Sequence, residues 1–260
     1  MADKLAILST ARGAYSFVWQ HRRRFFSLAF PAIVVLSILT AIVAWFWPLA
    51  GVAGQEIGWG EIGVDVGGLV LWIMFAVAWH RRYLVPAEST TVGNAFKWQW
   101  RQTRFLLVTM GISLLVALGV SLSVLLGVAL DAMLSGGAGV ETSLYLVFPL
   151  VALYVYARLS LLFPAAAVDR RLGFVECFKL TRGNGWRLVA IWILVIAPFW
   201  IALSIGLAMT AILGTFGGMT GTLIGTLFHQ GLNFAGIAIG VSALSIAYRE
   251  LVPANAVTDD

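Results

Sequence analysis

Residues 27–48, SLAFPAIVVLSILTAIVAWFWP, contain no Asp, Glu, Lys or Arg. A helix needs roughly 20 apolar residues, at 1.5 Å each, to cross about 30 Å of hydrocarbon, and this run is long enough. Lys4, Arg12, Arg22, Arg23 and Arg24 precede it, and the segment that follows it, 51–63, has no cation. The alternation continues outward along the chain. Apolar stretches recur at 64–84, 105–130, 143–163, 188–213 and 222–248. Arg81, Arg82, Lys97, Arg101 and Arg104 lie at and beyond the end of the second stretch. Arg158, Arg170, Arg171, Lys179, Arg182 and Arg187 stand likewise after the fourth, and Arg249 after the sixth, which accounts for all 17 Lys and Arg. The gaps at 131–142 and 214–221 have none. Short loops rich in Lys and Arg stay in the cytoplasm during insertion. The expectation is an all-α, polytopic protein: six transmembrane helices in one integral membrane domain, 1–260, with both termini cytoplasmic.

Composition excludes a soluble globule. With 60% apolar and 11% charged residues and a mean hydropathy of +0.92, the chain has too little polar surface to cover itself, whereas lipid solvates its side chains directly. The net charge of +5 is divided by side, because the outer segments carry only Glu56, Glu61, Asp65, Asp131 and Glu141. A basic inner face attracts anionic headgroups at about 1 kcal/mol per near-surface Lys or Arg. Anionic lipid, not nucleic acid, is therefore the expected partner. The single Cys177 excludes an internal disulfide and a cysteine-based metal site. More than twenty residues precede the first apolar run, which is also too long for a signal-peptide core, so it reads as an uncleaved span.

The inner segments mix rings and cations at helical spacing. Phe17, Trp19, Phe25 and Phe26 flank His21 to Arg24; Phe96, Trp98 and Trp100 alternate with Lys97, Arg101 and Arg104; Phe174, Phe178 and Trp186 accompany Lys179, Arg182 and Arg187. Lys97, Arg101 and Arg104 form an i, i+4, i+7 stripe beside Phe96 and Trp100. That is how a helix lies in the headgroup plane, rings down and cations snorkelling. Three cytoplasmic amphipathic helices are expected. Lys97, Arg101, Arg104, Arg170, Arg171, Lys179, Arg182 and Arg187 are the candidate headgroup ligands.

These segments also suggest a threefold two-span repeat. Arg82-Tyr-Leu-Val-Pro86-Ala87 matches Arg249-Glu-Leu-Val-Pro253-Ala254, with Arg158 and Leu162-Phe163-Pro164-Ala165 as a looser copy, and Phe17, Phe96 and Phe174 recur at similar spacing. The candidate units are 1–87, 88–165 and 166–260. Alternatively, every hairpin that ends at an inner interface selects Arg, aromatics and Pro there.

Two polar groups lie within the apolar stretches. Arg158 either snorkels at the inner boundary or joins Tyr154 and Tyr156 in a polar site. In the sixth stretch His229, Gln230 and Asn233 accompany a stripe of Gly221, Gly225, His229 and Asn233 at every fourth residue. Such a stripe lets helices approach closely. Its polar members either hydrogen-bond across that contact, relay a proton or substrate, or ligate a haem or metal. Pro149 and Pro198 should kink the fourth and fifth stretches. Gly183-Asn184-Gly185 reads as a helix end with Gly and Asn at positive φ. No metalloprotease, nucleophile-elbow or phosphate-loop motif occurs, so no catalytic residue, metal or cofactor is expected.

The run from Arg158 through Phe163-Pro164-Ala165-Ala166-Ala167-Val168-Asp169 to Thr181-Arg182-Gly183-Asn184-Gly185-Trp186-Arg187-Leu188, with Ala78-Trp79-His80-Arg81, resembles a broad group of uncharacterised six-span bacterial inner-membrane proteins. These are similar to the membrane domain attached to some glycerophosphodiester phosphodiesterases. The resemblance implies a bacterial inner membrane and a link to lipid or envelope biology. It implies no activity, since the chain has no phosphodiesterase domain. The expected function is a non-enzymatic scaffold or accessory subunit that binds anionic lipid and, at its cytoplasmic face, a membrane-protein partner or a second copy. The alternatives are a lipid or small-solute transporter or channel and, third, a membrane enzyme of lipid metabolism.

Overall fold

The structure, a computed structural model, describes residues 4–46, 58–87, 92–133 and 138–252, and of 130–133 and 138–148 the backbone alone. Among them all regular structure is helical: α1 (Ile7–Gln20), α2 (Arg22–Phe46), α3 (Trp59–Leu84), α4 (Val92–Ala95), α5 (Trp100–Met133), α6 (Ala138–Leu159), α7 (Leu162–Ala167), α8 (Phe174–Leu180) and α9 (Gly185–Leu251). Five stretches are long and apolar enough to cross a membrane: Arg22–Phe46, Trp59–Leu84, Trp100–Ala129, Pro149–Ala167 and Gly185–Leu251. The chain is thus compatible with a multi-pass membrane protein. Both termini, most of the 51–63 segment and the Pro253-Ala254 end of the repeated signature lie outside the described residues.

The last helix organises the others. At 67 residues a straight α9 would reach about 100 Å, some three times the hydrocarbon thickness. It does not run straight, because Gly218 leaves the helical region (φ 56, ψ −141) and the two arms pack back to back. A Cβ on Gly225 would lie 2.6 Å from the Cα of Thr210, and Gly206 and Gly236 meet His229 and Phe199 in the same antiparallel register. The loop expected at 214–221 is therefore reduced to a turn at one residue. Glycine supplies both requirements, a positive φ at Gly218 and a close backbone approach at Gly225.

Around α9 are packed α1, α2 and α3, while α5 lies against α6 and α7. The tight packing is concentrated at the cation-bearing end. In α3 the buried residues run from Ile73 to Arg81, and the second arm of α9 is almost continuously buried from Ala238 to Tyr248. Aromatic rings fill this end, with Phe75 stacked on Trp79 at 5.8 Å and edge-on to Phe234 at 5.2 Å. At the opposite end Trp45, Trp59 and Phe216 are exposed.

The three interfacial segments depart from expectation. The first divides at His21 between α1 and α2, and α1 buries Thr10, Ala11 and Ala14 while packing on α9. In the second, α4 has only four residues and Lys97 lies off any helix, so Lys97, Arg101 and Arg104 do not form a helical stripe. The break has a local cause. Gln102 Oε1 accepts from the N–H of Gln99 at 3.0 Å and Trp98 Nε1 donates to Thr103 Oγ1 at 3.0 Å, half of a capping box that starts a new helix at Trp100. In the third, α8 has seven residues, and Arg182 and Arg187 fall in the next turn and at the start of α9. Gly183 takes φ 81 there but Asn184 has φ −113, so only the glycine is left-handed. With lengths of 14, 4 and 7 residues, the three helices do not share one form.

Candidate functional site

Three arginines from two helices converge beyond the end of α7. Arg81, in the last turn of α3, places NH1 3.1 Å from the carbonyl of Ala167 and 3.4 Å from Asp169 Oδ2. Arg101, in the first turn of α5, brings Nε within 3.7 Å of the same carboxylate oxygen. One turn further on, Arg104 NH1 donates to the backbone carbonyl of Asp169 at 3.0 Å. Asp169 stands at φ 64, a left-handed conformation that short polar side chains tolerate best after glycine. Its side chain is half-exposed while that of Arg81 is buried. The Asp169 carboxylate thus faces two guanidinium groups, and its backbone carbonyl holds a third.

The other expected headgroup ligands divide between committed and exposed. Arg170 NH2 faces Glu176 at 3.9 Å, and Arg187 NH1 donates to the carbonyl of Leu5 at 2.7 Å. Lys97, Arg171, Lys179 and Arg182 are exposed. Sequence reasoning missed Arg81 and Asp169 as members of the group, because the contact joins residues 88 positions apart and neither residue carries a local signal for it.

Arg158 proves to be a brace. Its Nε donates to Thr181 Oγ1 at 3.0 Å, its NH2 to the carbonyl of Phe178, and its guanidinium lies over the Phe178 and Tyr154 rings at 4.3 and 5.7 Å from their centroids. It thus satisfies the Phe178 carbonyl in the last turn of α8 and ties down the Thr181 hydroxyl beyond it. Beside it, Cys177 Sγ donates to the carbonyl of Arg158 at 3.1 Å. Burial pushes this thiol up to about 12, outweighing the opposite pull of the Arg158 cation.

The intramembrane polar residues separate into different places. Arg158 and Tyr154 meet each other, whereas His229 packs on Gly206 of the facing arm. His229 Nδ1 is buried without a hydrogen-bond partner among the described residues, so the cross-helix hydrogen bond expected of it is not made there. Gln230 and Asn233 line a cavity of about 370 Å³ together with Asp65 of α3. A second cavity, of about 270 Å³, is walled by aromatic residues and bordered by His80. Trp72, Asn233 and Ile237 border both, so the two adjoin. No group of three His, Cys, Asp or Glu side chains among the described residues could hold a metal ion.

Comparison of the chain with protein-family models, curated proteins and solved structures finds no match.

Proposed function

We propose that the chain is a six-span, non-enzymatic membrane protein, a scaffold or accessory subunit that binds anionic lipid at its cation-bearing face. The count takes α2, α3, α5, α6 with α7, and each arm of α9 as one crossing. The distribution of Lys and Arg assigns that face and both termini to the cytoplasm. The resemblance drawn from 158–188 and 78–81 supports placing the chain in a bacterial inner membrane. The observation that carries the lipid reading is the convergence of Arg81, Arg101 and Arg104 on half-exposed Asp169, the first two at its carboxylate and the third at its backbone carbonyl. Guanidinium groups recognise phosphate oxygens bidentately, and a lipid phosphate suits a cluster of them gathered at a half-exposed site. Exposed Arg171, Lys179 and Arg182 extend the basic surface, which a membrane-protein partner or a second copy would share. Native mass spectrometry of the purified chain tests this: phosphatidylglycerol should be retained in preference to phosphatidylcholine. Equal retention would overturn the reading.

A second reading, a transporter or channel for lipid or a small solute, is favoured by the adjoining cavities that share Asn233. Flux in proteoliposomes separates the two, since a scaffold gives none above that of empty vesicles.

A further inference from the structure

The aromatic cavity contains one polar atom whose hydrogen-bonding state follows from its neighbours. His80, on α3, is fully buried, and its Nδ1 lies 2.8 Å from Ser245 Oγ. Ser245 Oγ in turn donates to the carbonyl of Val241 at 2.8 Å. A hydroxyl has one proton, and it is engaged with Val241, so Ser245 accepts from the Nδ1–H of His80. In the neutral ring Nε2 is then a bare lone pair. It is buried and has no hydrogen-bond partner among the described residues, and His80 borders the cavity. An unmet buried acceptor on a residue that borders an apolar cavity calls for a donor on whatever enters.

The surroundings restrict what can bring that donor. Trp72, Phe105, Tyr156, Trp192 and Phe199 make the walls aromatic, and among the described residues no Lys, Arg, Asp or Glu borders this cavity, so a charged headgroup would be left unpaired in low dielectric. Trp200 also borders the cavity and is 67% exposed, on a segment long and apolar enough to face lipid. The cavity is therefore open to an entrant from the bilayer. His80 directly precedes Arg81 and Arg82, the boundary cations, which sets Nε2 near the depth of lipid ester and glycerol groups. From this geometry we infer that the cavity binds an uncharged glycerolipid with a free hydroxyl, of the diacylglycerol type, whose O–H donates to His80 Nε2. The inference does not depend on the arginine cluster and stands if the anionic-lipid reading fails.

The test uses the full chain in nanodiscs and a diacylglycerol bearing a photoreactive acyl chain, beside the same lipid with its hydroxyl methylated. The free hydroxyl should give cross-links within 192–203 and 233–244. Methylation should lower their yield at least about fivefold, the effect of losing one hydrogen bond of ordinary strength. His80→Gln keeps an acceptor near the Nε2 position and should retain labelling, whereas His80→Phe should lose it to the same extent as methylation. Equal labelling of the wild-type chain by both lipids, or labelling confined to other segments, would overturn the inference without reference to any variant.

Discussion

Asn184 holds Leu5. Its side-chain Oδ1 accepts from the Leu5 N–H at 3.0 Å across 179 residues of sequence. The carbonyl of Leu5 is held in turn by Arg187 at 2.7 Å, so both backbone polar groups of one residue near the chain start are met by the beginning of α9. The position of Asn184 just before α9 would suit an N-cap, yet its side chain makes no cap bond, because it is engaged with Leu5. Asn184→Ala should lower stability by about 1–3 kcal/mol, the effect of removing one partner of a buried hydrogen bond. Hydrogen exchange across α1 should rise with it. An unchanged thermal midpoint in detergent and unchanged exchange would exclude the latch.

Arg158 should resist replacement by lysine. The planar guanidinium serves Thr181 and Phe178 at once while covering two rings, and an ammonium cannot span that geometry. Arg158→Lys should cost about 1.5–3 kcal/mol, the range for hydrogen bonds to charged groups. Thermal denaturation of the two proteins in the same detergent measures it. A lysine variant as stable as the wild type would mean that the charge alone suffices.

Within α9, glycines should differ sharply by position. Gly225→Ala brings a methyl group to 2.6 Å from the Thr210 backbone and should force the arms apart, at about 1–3 kcal/mol. Gly231→Ala meets nothing within 4 Å and should be neutral or stabilising by up to about 1 kcal/mol, the helix-propensity gain. His229 belongs to the same face, and since its Nδ1 makes no hydrogen bond, His229→Leu should be tolerated as well as His229→Gln. A melting series of these variants decides both points.

Cys177 should be inert in the folded chain. With its thiol pushed up to about 12 by burial, almost no thiolate is present at pH 8, and the thiolate is the nucleophile. N-ethylmaleimide should leave the native protein unmodified and alkylate it once unfolded in dodecyl sulfate. The linkage has a definite sign: the unfolded thiol ionises near its ordinary value of 9.0 and the folded one does not. The contribution is present in full below 9 and is lost as pH rises from there towards 12. A silent Cys177 also allows introduced cysteines at Gln99 and Gly183 to report topology, with labelling expected only from the cytoplasmic side.

Asp169→Asn should separate a lipid site from a structural junction. Removing the carboxylate takes away the acidic group that Arg81 and Arg101 both face, beside Arg104 on the neighbouring carbonyl. If they meet phosphate, retention of phosphatidylglycerol rises in native mass spectrometry, by up to about fivefold for about 1 kcal/mol of added attraction. If they only tie α3 and α5 to the end of α7, the thermal midpoint falls and lipid retention does not change.

What sequence determined by itself was the helical, membrane-compatible character of the chain. Runs such as 27–48 are long enough to cross hydrocarbon and too apolar for water, and this follows from counting residues. The Gly221/Gly225/His229 stripe announced a close helix contact because small side chains every fourth residue lie on one face. Tertiary structure alone decided which polar groups meet. Arg81 reaches Asp169, Leu5 reaches Asn184, and His80 reaches Ser245 across 88, 179 and 165 residues, and no local periodicity encodes contacts at such separations. The same holds for the interfacial segments: Lys97 has the spacing of a helical stripe with Arg101 and Arg104, but the capping bond from Gln99 to Gln102 starts a new helix between them. Spacing along a chain describes a face only where the backbone stays helical, and a few specific hydrogen bonds decide where it does.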